Sequence, residues 1–316
     1  MKEKKVIVGV VGAGHVGAHV AFTLGMTGTA DIVKICDIKE DKVISERQDL
    51  MDAVSFMPHR VDYQIATYEE LADCDIIINA VGDITLCATG NRDDEMVNSV
   101  KQVTDYVPKV AAAGFKGIFI NITNPCDVIT SMIAERAGLP KGHVFGTETC
   151  LDTSRLVSAI AQQTGIEHHS FVAYMMGEHG NAQMIPWSLV SFGGKPLVQV
   201  EKDPRFHFNK EEIRERTIKA GWVTYSGKFC TEYGICSAAV TLARCVLHDE
   251  KRIFSCSVPL DGEYGESGIF AGCPAVIGGN GVEEVMEYEL PEAELAEFKS
   301  CCETIRKNIA RAKTMI

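Results

Sequence analysis

The sequence has no Cys-x-x-Cys pair, no low-complexity tract, no internal repeat and no excess of basic residues. Each absence removes a class of protein. A net charge of −12 over 316 residues leaves no basic face for nucleic acid or an anionic membrane. The N-terminal Met1-Lys2-Glu3-Lys4-Lys5 leads into only a few apolar residues before Gly12. That is too short a run for a signal peptide or a membrane span. The 12 cysteines are many, but they are scattered and mostly lie inside apolar runs, where free cysteine behaves as a small hydrophobe. A disulfide framework and a zinc site are therefore not expected, and the pattern fits a reducing cytoplasm.

What is present is an ordinary globular composition, 46% hydrophobic and 23% charged, long enough for two domains. Val6 to Val11 is a nearly continuous apolar run, as for a strand covered on both faces of a parallel sheet. Gly12-Ala13-Gly14-His15-Val16-Gly17 follows directly, with Val20, Ala21 and Leu24 then at helical spacing. Further strands are predicted at 32–36, 76–81 and 118–120, and helices around 43–54, 97–110 and 128–133. Strand and helix alternate, which predicts βαβ units and a doubly wound parallel sheet over residues 1–146. The remainder, 147–316, changes character. Apolar runs at 171–176, 187–192, 254–258 and 276–277 predict antiparallel strands, and long helices are predicted near 210–248 and 291–313.

The glycine-rich turn is a weak signal alone, since three glycines can simply make a tight strand-to-helix connection. Here it follows a strand, opens a helix and has Asp37 at the end of the next strand, 20 residues after Gly17. Gly12, Gly14 and Gly17 let the backbone approach a pyrophosphate at a helix N-terminus. Asp37 would accept hydrogen bonds from the adenosine ribose hydroxyls and repel a 2′-phosphate, so the expected cofactor is NAD rather than NADP.

Gly177-Glu178-His179-Gly180 follows the run Phe171 to Met176, which puts His179 at a strand end beside a cavity. Taken alone, a histidine there is more often structural than catalytic. Asp152 and Arg155, three apart at the start of a predicted helix, share one face. The aspartate would hold a distant histidine in one tautomer, and the guanidinium fork would grip a carboxylate at two points. By themselves the two are more often an N-cap with a surface ion pair.

Gly12 to Gly17, Asp37, Asn121-Ile-Thr-Asn-Pro-Cys-Asp127, Leu151-Asp-Thr-Ser-Arg155, Gly177-Glu-His-Gly180 and Asp261-Gly-Glu-Tyr-Gly265 stand in a telling order. Together they resemble the L-lactate/malate dehydrogenase family over essentially the whole chain. The resemblance implies an NAD-binding Rossmann domain followed by an α+β catalytic domain, with hydride exchanged between NADH and a 2-oxo acid. It implies His179 as proton donor and acceptor, Asp152 as its carboxylate partner, and Arg155 as anchor of the substrate carboxylate. Arg92 matches the arginine of a mobile loop, Asn124 the asparagine beside substrate and nicotinamide, and Thr231 a pocket residue. Val16, Val81, Gly82, Ile122 and Asn124 join Gly12, Gly14, Gly17 and Asp37 in the implied cofactor set. A metal is not implied; a homo-oligomer, dimer or tetramer, is.

Substrate choice in this family depends on the residue six before the loop arginine, here Leu86. An apolar side chain there leaves a malate-like second carboxylate without a cation. The segment from Val81 to Arg92 resembles the L-2-hydroxyisocaproate dehydrogenase branch, so the expected substrates are 2-oxo acids with sizeable apolar side chains. An L-lactate dehydrogenase is the alternative, and a non-catalytic NAD-binding redox sensor a more distant one. Val157 and Val172 stand where sugar-bisphosphate-activated relatives carry an arginine and a histidine, so no such activation is expected. Asn181 departs from the family's usual aspartate.

Overall fold

The structure is a computed structural model that describes residues 4–83, 85–86, 92–180 and 182–315, with the side chains of 92–94 excepted. The first half alternates β1 (Ile7–Val11), α1 (His15–Met26), β2 (Ile32–Cys36), α2 (Glu40–Ala53), β3 (Asp62–Ile65), β4 (Ile76–Asn79), α3 (Arg92–Ala112), β5 (Ile118–Asn121), α4 (Cys126–Ala137) and β6 (Val144–Gly146). The six strands pair in the order β3-β2-β1-β4-β5-β6, all parallel. Their apolar runs are continuous because both faces are covered. Val8, Val10, Ile76, Ile78 and Ile120 enter one core cluster, whereas Val11, Ile77 and Phe119 enter another on the opposite face.

The second half contains α5 (Cys150–Thr164), β7 (Phe171–Val172), β8 (Met176–Gly177), β9 (Gln183–Met184), β10 (Ser191–Phe192), β11 (Lys195–Pro196), α6 (Leu197–Val200), α7 (Lys210–Lys228), α8 (Tyr233–Leu247), β12 (Arg252–Asp261), β13 (Ser267–Gly278), β14 (Gly281–Val285) and α9 (Glu292–Lys313). β12 and β13 form a long antiparallel hairpin, and Ser257 on β12 pairs with Gly146 on β6. The parallel sheet therefore continues without a gap into β12, β13, β8 and β9. The Asp261 to Gly265 motif is the hairpin's turn, closed by buried Tyr264, whose hydroxyl donates to the Met286 carbonyl at 2.8 Å.

Three expectations need correction. Phe171 to Met176 is not one strand: Phe171–Val172 pairs with β10 in a separate three-stranded sheet, while Met176–Gly177 pairs with β13 and β9. The chain crosses from one sheet to the other between them, and an apolar run is blind to such a crossing because both ends are buried. The span 187–192 opens with a single 3-10 turn at Trp187–Leu189, and only Ser191–Phe192 is strand. The span 210–248 is two helices, broken after Lys228, where Phe229 adopts a left-handed φ of 65°.

Candidate active site

The turn after β1 is shaped by near contacts that no side chain would survive. A Cβ on Gly17 would lie 1.8 Å from the Gly12 carbonyl oxygen. A Cβ on Gly14, by contrast, would meet nothing within 4 Å, so open space lies where the helix α1 N-terminus presents its N–H groups. That cradle fits a pyrophosphate. At the end of β2, Asp37 accepts hydrogen bonds from the N–H groups of Ala13 (2.6 Å) and Lys39 (2.8 Å), which fixes its carboxylate beside the turn. Val16 and Ile122 are half-buried, Val81 is buried, and Gly82 is exposed with open space around it. Asn124 is exposed in the connection between β5 and α4.

Behind that edge, polar side chains lock the strand ends. Asn79 donates to Asn121 Oδ1 (2.7 Å) and accepts from the Tyr106 hydroxyl (2.7 Å), and Thr123 Oγ1 donates to the Val81 carbonyl (2.6 Å). All of these groups are buried, and a buried amide left unpaired would cost on the order of 1–3 kcal/mol. The asparagines were absent from the predicted site; their sole signal in the sequence is a polar residue closing each of two fully apolar strands.

His179 follows β8, whose Gly177 adopts φ 94° and would place a Cβ 2.8 Å from the Cys301 side chain. The imidazole Nδ1 is hydrogen-bonded to Asp152 Oδ2, and the other oxygen, Oδ1, accepts from Arg155 Nη1 at 2.7 Å. Asp152 is 1% exposed, so this carboxylate is compensated from both sides. Arg155 Nη2 reaches Thr231 Oγ1 at 3.5 Å, which brings the break between α7 and α8 to the site. The charge of Asp152 raises the His179 pKa above the ordinary imidazole value, against the opposing effect of burial. Burial pushes the Asp152 carboxyl up, but the imidazolium and guanidinium outweigh it and hold the carboxyl below its usual range.

Asp152 is thus both catalytic candidate and ion-pair partner of Arg155, and the two readings of that sequence pair are one arrangement. Leu86 is half-buried in a short helical turn. Arg92 begins α3, but its side chain lies outside the described residues, as does Asn181. One grouping was invisible in the sequence. His15, Cys230 and Glu232 bring donor atoms within 4.8 Å of one another, although Glu232 is already paired with Lys228.

Comparisons with known proteins give the family. Residues 5–146 match the lactate/malate dehydrogenase NAD binding domain, and residues 149–316 the lactate/malate dehydrogenase alpha/beta C-terminal domain. An L-lactate dehydrogenase of Fusobacterium nucleatum is 38% identical over 310 residues, covering 97% of each chain. L-lactate dehydrogenase 2 of Listeria monocytogenes is 36% identical over 98% of this chain and 99% of its own. The minor L-lactate dehydrogenase of Enterococcus mundtii superposes with a TM-score of 0.91 at 28% identity, covering 97% of this chain and 98% of its own. A malate dehydrogenase of Salinibacter ruber gives 0.87 at 29%, covering 98% of each chain. With an NAD-binding half, a catalytic half and relatives matched end to end, the chain belongs to the lactate/malate dehydrogenase family and is an NAD-dependent oxidoreductase acting on the CH–OH group of 2-hydroxy acids.

Proposed function

We propose that the chain interconverts pyruvate and L-lactate, with its NAD-binding half at 1–146 and its catalytic half at 147–316. The observation that carries the chemistry is the Asp152 carboxylate held between His179 and Arg155. A carboxylate accepts only, so Nδ1 carries the imidazole's fixed proton and Nε2 is left to exchange one with substrate. Arg155 offers the rest of its fork to the substrate carboxylate. When bound, NADH supplies the hydride. Protonated His179 then gives its Nε2 proton to the oxygen of the former carbonyl, and Asp152 stabilises the imidazolium before that transfer. Arg92 is assigned to the substrate carbonyl, and Asn124 and Thr231 to the walls of the pocket.

The substrate reading rests on the relatives, several of them named L-lactate dehydrogenases at 34–38% identity. They favour pyruvate over the larger apolar 2-oxo acids that the loop pattern put first. Leu86 keeps that second reading open, since it sets an apolar side chain where a branched substrate would need one. A comparison of kcat/KM for pyruvate, 2-oxoisocaproate, phenylpyruvate and oxaloacetate decides between them. Pyruvate first supports the proposal, 2-oxoisocaproate first replaces it with the branched-chain reading, and oxaloacetate first overturns both. His179→Ala should lower turnover on the order of 100- to 10,000-fold while NADH binding survives. Unchanged turnover would remove His179 from the mechanism. A wild type that binds NADH but turns over no 2-oxo acid would return the redox-sensor reading.

We also infer a cytoplasmic homo-oligomer. The described cysteines are all free, and all but Cys150 are buried. No described helix is long and apolar enough to cross a membrane. Phe56, Trp222, Val223 and Phe229 stand exposed, which supports a surface covered by another copy.

A further inference from the structure

Directly behind the catalytic histidine lie two acidic side chains that the mechanism has not used. Asp127, from α4, is 2% exposed and Glu148, between β6 and α5, is 3% exposed. Each has one oxygen engaged: Asp127 Oδ1 accepts from Ser257 Oγ at 2.6 Å, and Glu148 Oε1 accepts from the peptide N–H of His179. Their remaining oxygens, Asp127 Oδ2 and Glu148 Oε2, are buried with no donor among the described residues. Two neighbouring buried carboxylates cannot both stay ionised without cost, and one shared proton would satisfy both open acceptors. Cys126, the chain neighbour of Asp127 on α4, accepts the Glu148 peptide N–H on its Sγ at 3.4 Å, which brings the two acidic residues together. Glu148 also holds this place at a left-handed φ of 35°, a conformation unfavourable for a side-chain-bearing residue.

We propose that Glu148 is a positioning residue for the reaction: an ionised carboxylate, paired with a protonated Asp127, that holds the His179 peptide N–H and sets a second negative charge beside the imidazole. The proton belongs on Asp127 because Glu148 has the cationic neighbour. Burial, then the Glu148 charge, pushes the Asp127 carboxyl well up. Burial leaves the Glu148 carboxyl raised too, with the His179 charge and the hydrogen bonds from Asp127 and the His179 N–H opposing it. The other titratable groups around the pair are Cys126 on α4, Cys273 on β13 and Cys302 on α9, all kept thiols by burial, and Glu178 beside His179. Across the imidazole stand Asp152 and Arg155 of α5. Glu148 adds to Asp152 in favouring the imidazolium, while Arg155 opposes it.

This inference rests on the dehydrogenase reading, and the test separates the two. The pH profile of kcat/KM for 2-oxo acid reduction is measured for the wild type, Glu148→Gln and Asp127→Asn. Glu148→Gln keeps an acceptor for the His179 N–H and removes the charge; Asp127→Asn replaces the shared proton with an amide N–H. The alkaline limb should move down by about half to one pH unit in Glu148→Gln, a three- to tenfold loss above it, and stay in place in Asp127→Asn. An unmoved limb in Glu148→Gln, or an equal shift in Asp127→Asn, overturns the proposal. Should Glu148→Gln not fold, Glu148→Gly takes the left-handed φ without strain, and the same downward shift is expected. A wild type inactive on every 2-oxo acid would sink the reading instead. The His179 imidazole titration followed by NMR in the same proteins would then still test the charge.

Discussion

At His179 the imidazole keeps its proton above the ordinary value near 6.5, because the Asp152 charge outweighs the effect of burial. The direction fixes the pH dependence. In the proposed mechanism reduction of the 2-oxo acid needs the imidazolium, so it is at full strength below the His179 pKa and is lost as pH rises through it. Oxidation of the hydroxy acid needs the neutral ring and gains over the same interval. Asp152→Asn removes the principal cause, so both limbs should move to lower pH and kcat/KM for reduction should fall. Steady-state profiles in the two directions check this, and limbs that stay in place would refute the assignment. Asparagine offers one acceptor oxygen where Asp152 offers two, so His179 and Arg155 cannot both keep their bonds and the KM for substrate should change as well.

At the scale of elements, the unit of β1, the glycine turn and α1 was legible because every local requirement agrees: an apolar strand, glycines at the turn and an apolar stripe on the helix. Gly17→Ala tests how closely that turn packs. Its Cβ would overlap the Gly12 carbonyl, so the backbone must move. A loss of about 1–3 kcal/mol is expected, read as a Tm several degrees lower, together with weaker NADH binding. An unchanged Tm would mean that the turn relaxes freely. The break between α7 and α8 was not legible. The apolar spacing runs through 210–248, and only the left-handed Phe229 separates the helices and carries Thr231 to Arg155. The division of Phe171 to Met176 between two sheets was hidden for a related reason: which strand a short apolar run pairs with is set by distant residues.

Across the whole molecule, the sheet passes from the cofactor half to the catalytic half through the pair Gly146 and Ser257. Ser257 also holds Asp127, so the same junction that joins the halves supports the carboxyl pair behind His179. Regulation follows at this scale too. Val157 packs against a core cluster and Val172 is 43% exposed, and neither offers charge to a phosphate. A hexose bisphosphate should leave the KM for pyruvate unchanged; a marked fall would show another phosphate site. Sedimentation at several protein concentrations should give a species larger than one chain, and a monomer throughout would refute the oligomer.

The sequence by itself determined the alternation of parallel strands with helices and the glycine turn followed by Asp37, and it singled out His179, Asp152 and Arg155 as candidates. These depend on periodicity and on residues whose chemistry admits few uses. Only the tertiary structure decided that one carboxylate serves both His179 and Arg155, that Asn79 and Asn121 lock the strand ends, and that Asp127 and Glu148 are both buried with one oxygen unpartnered. Glu148 shows the reason. In the sequence it is an acidic residue between two threonines, and its consequence comes from burial beside a carboxylate 21 positions away, a distance along the chain that no local pattern records.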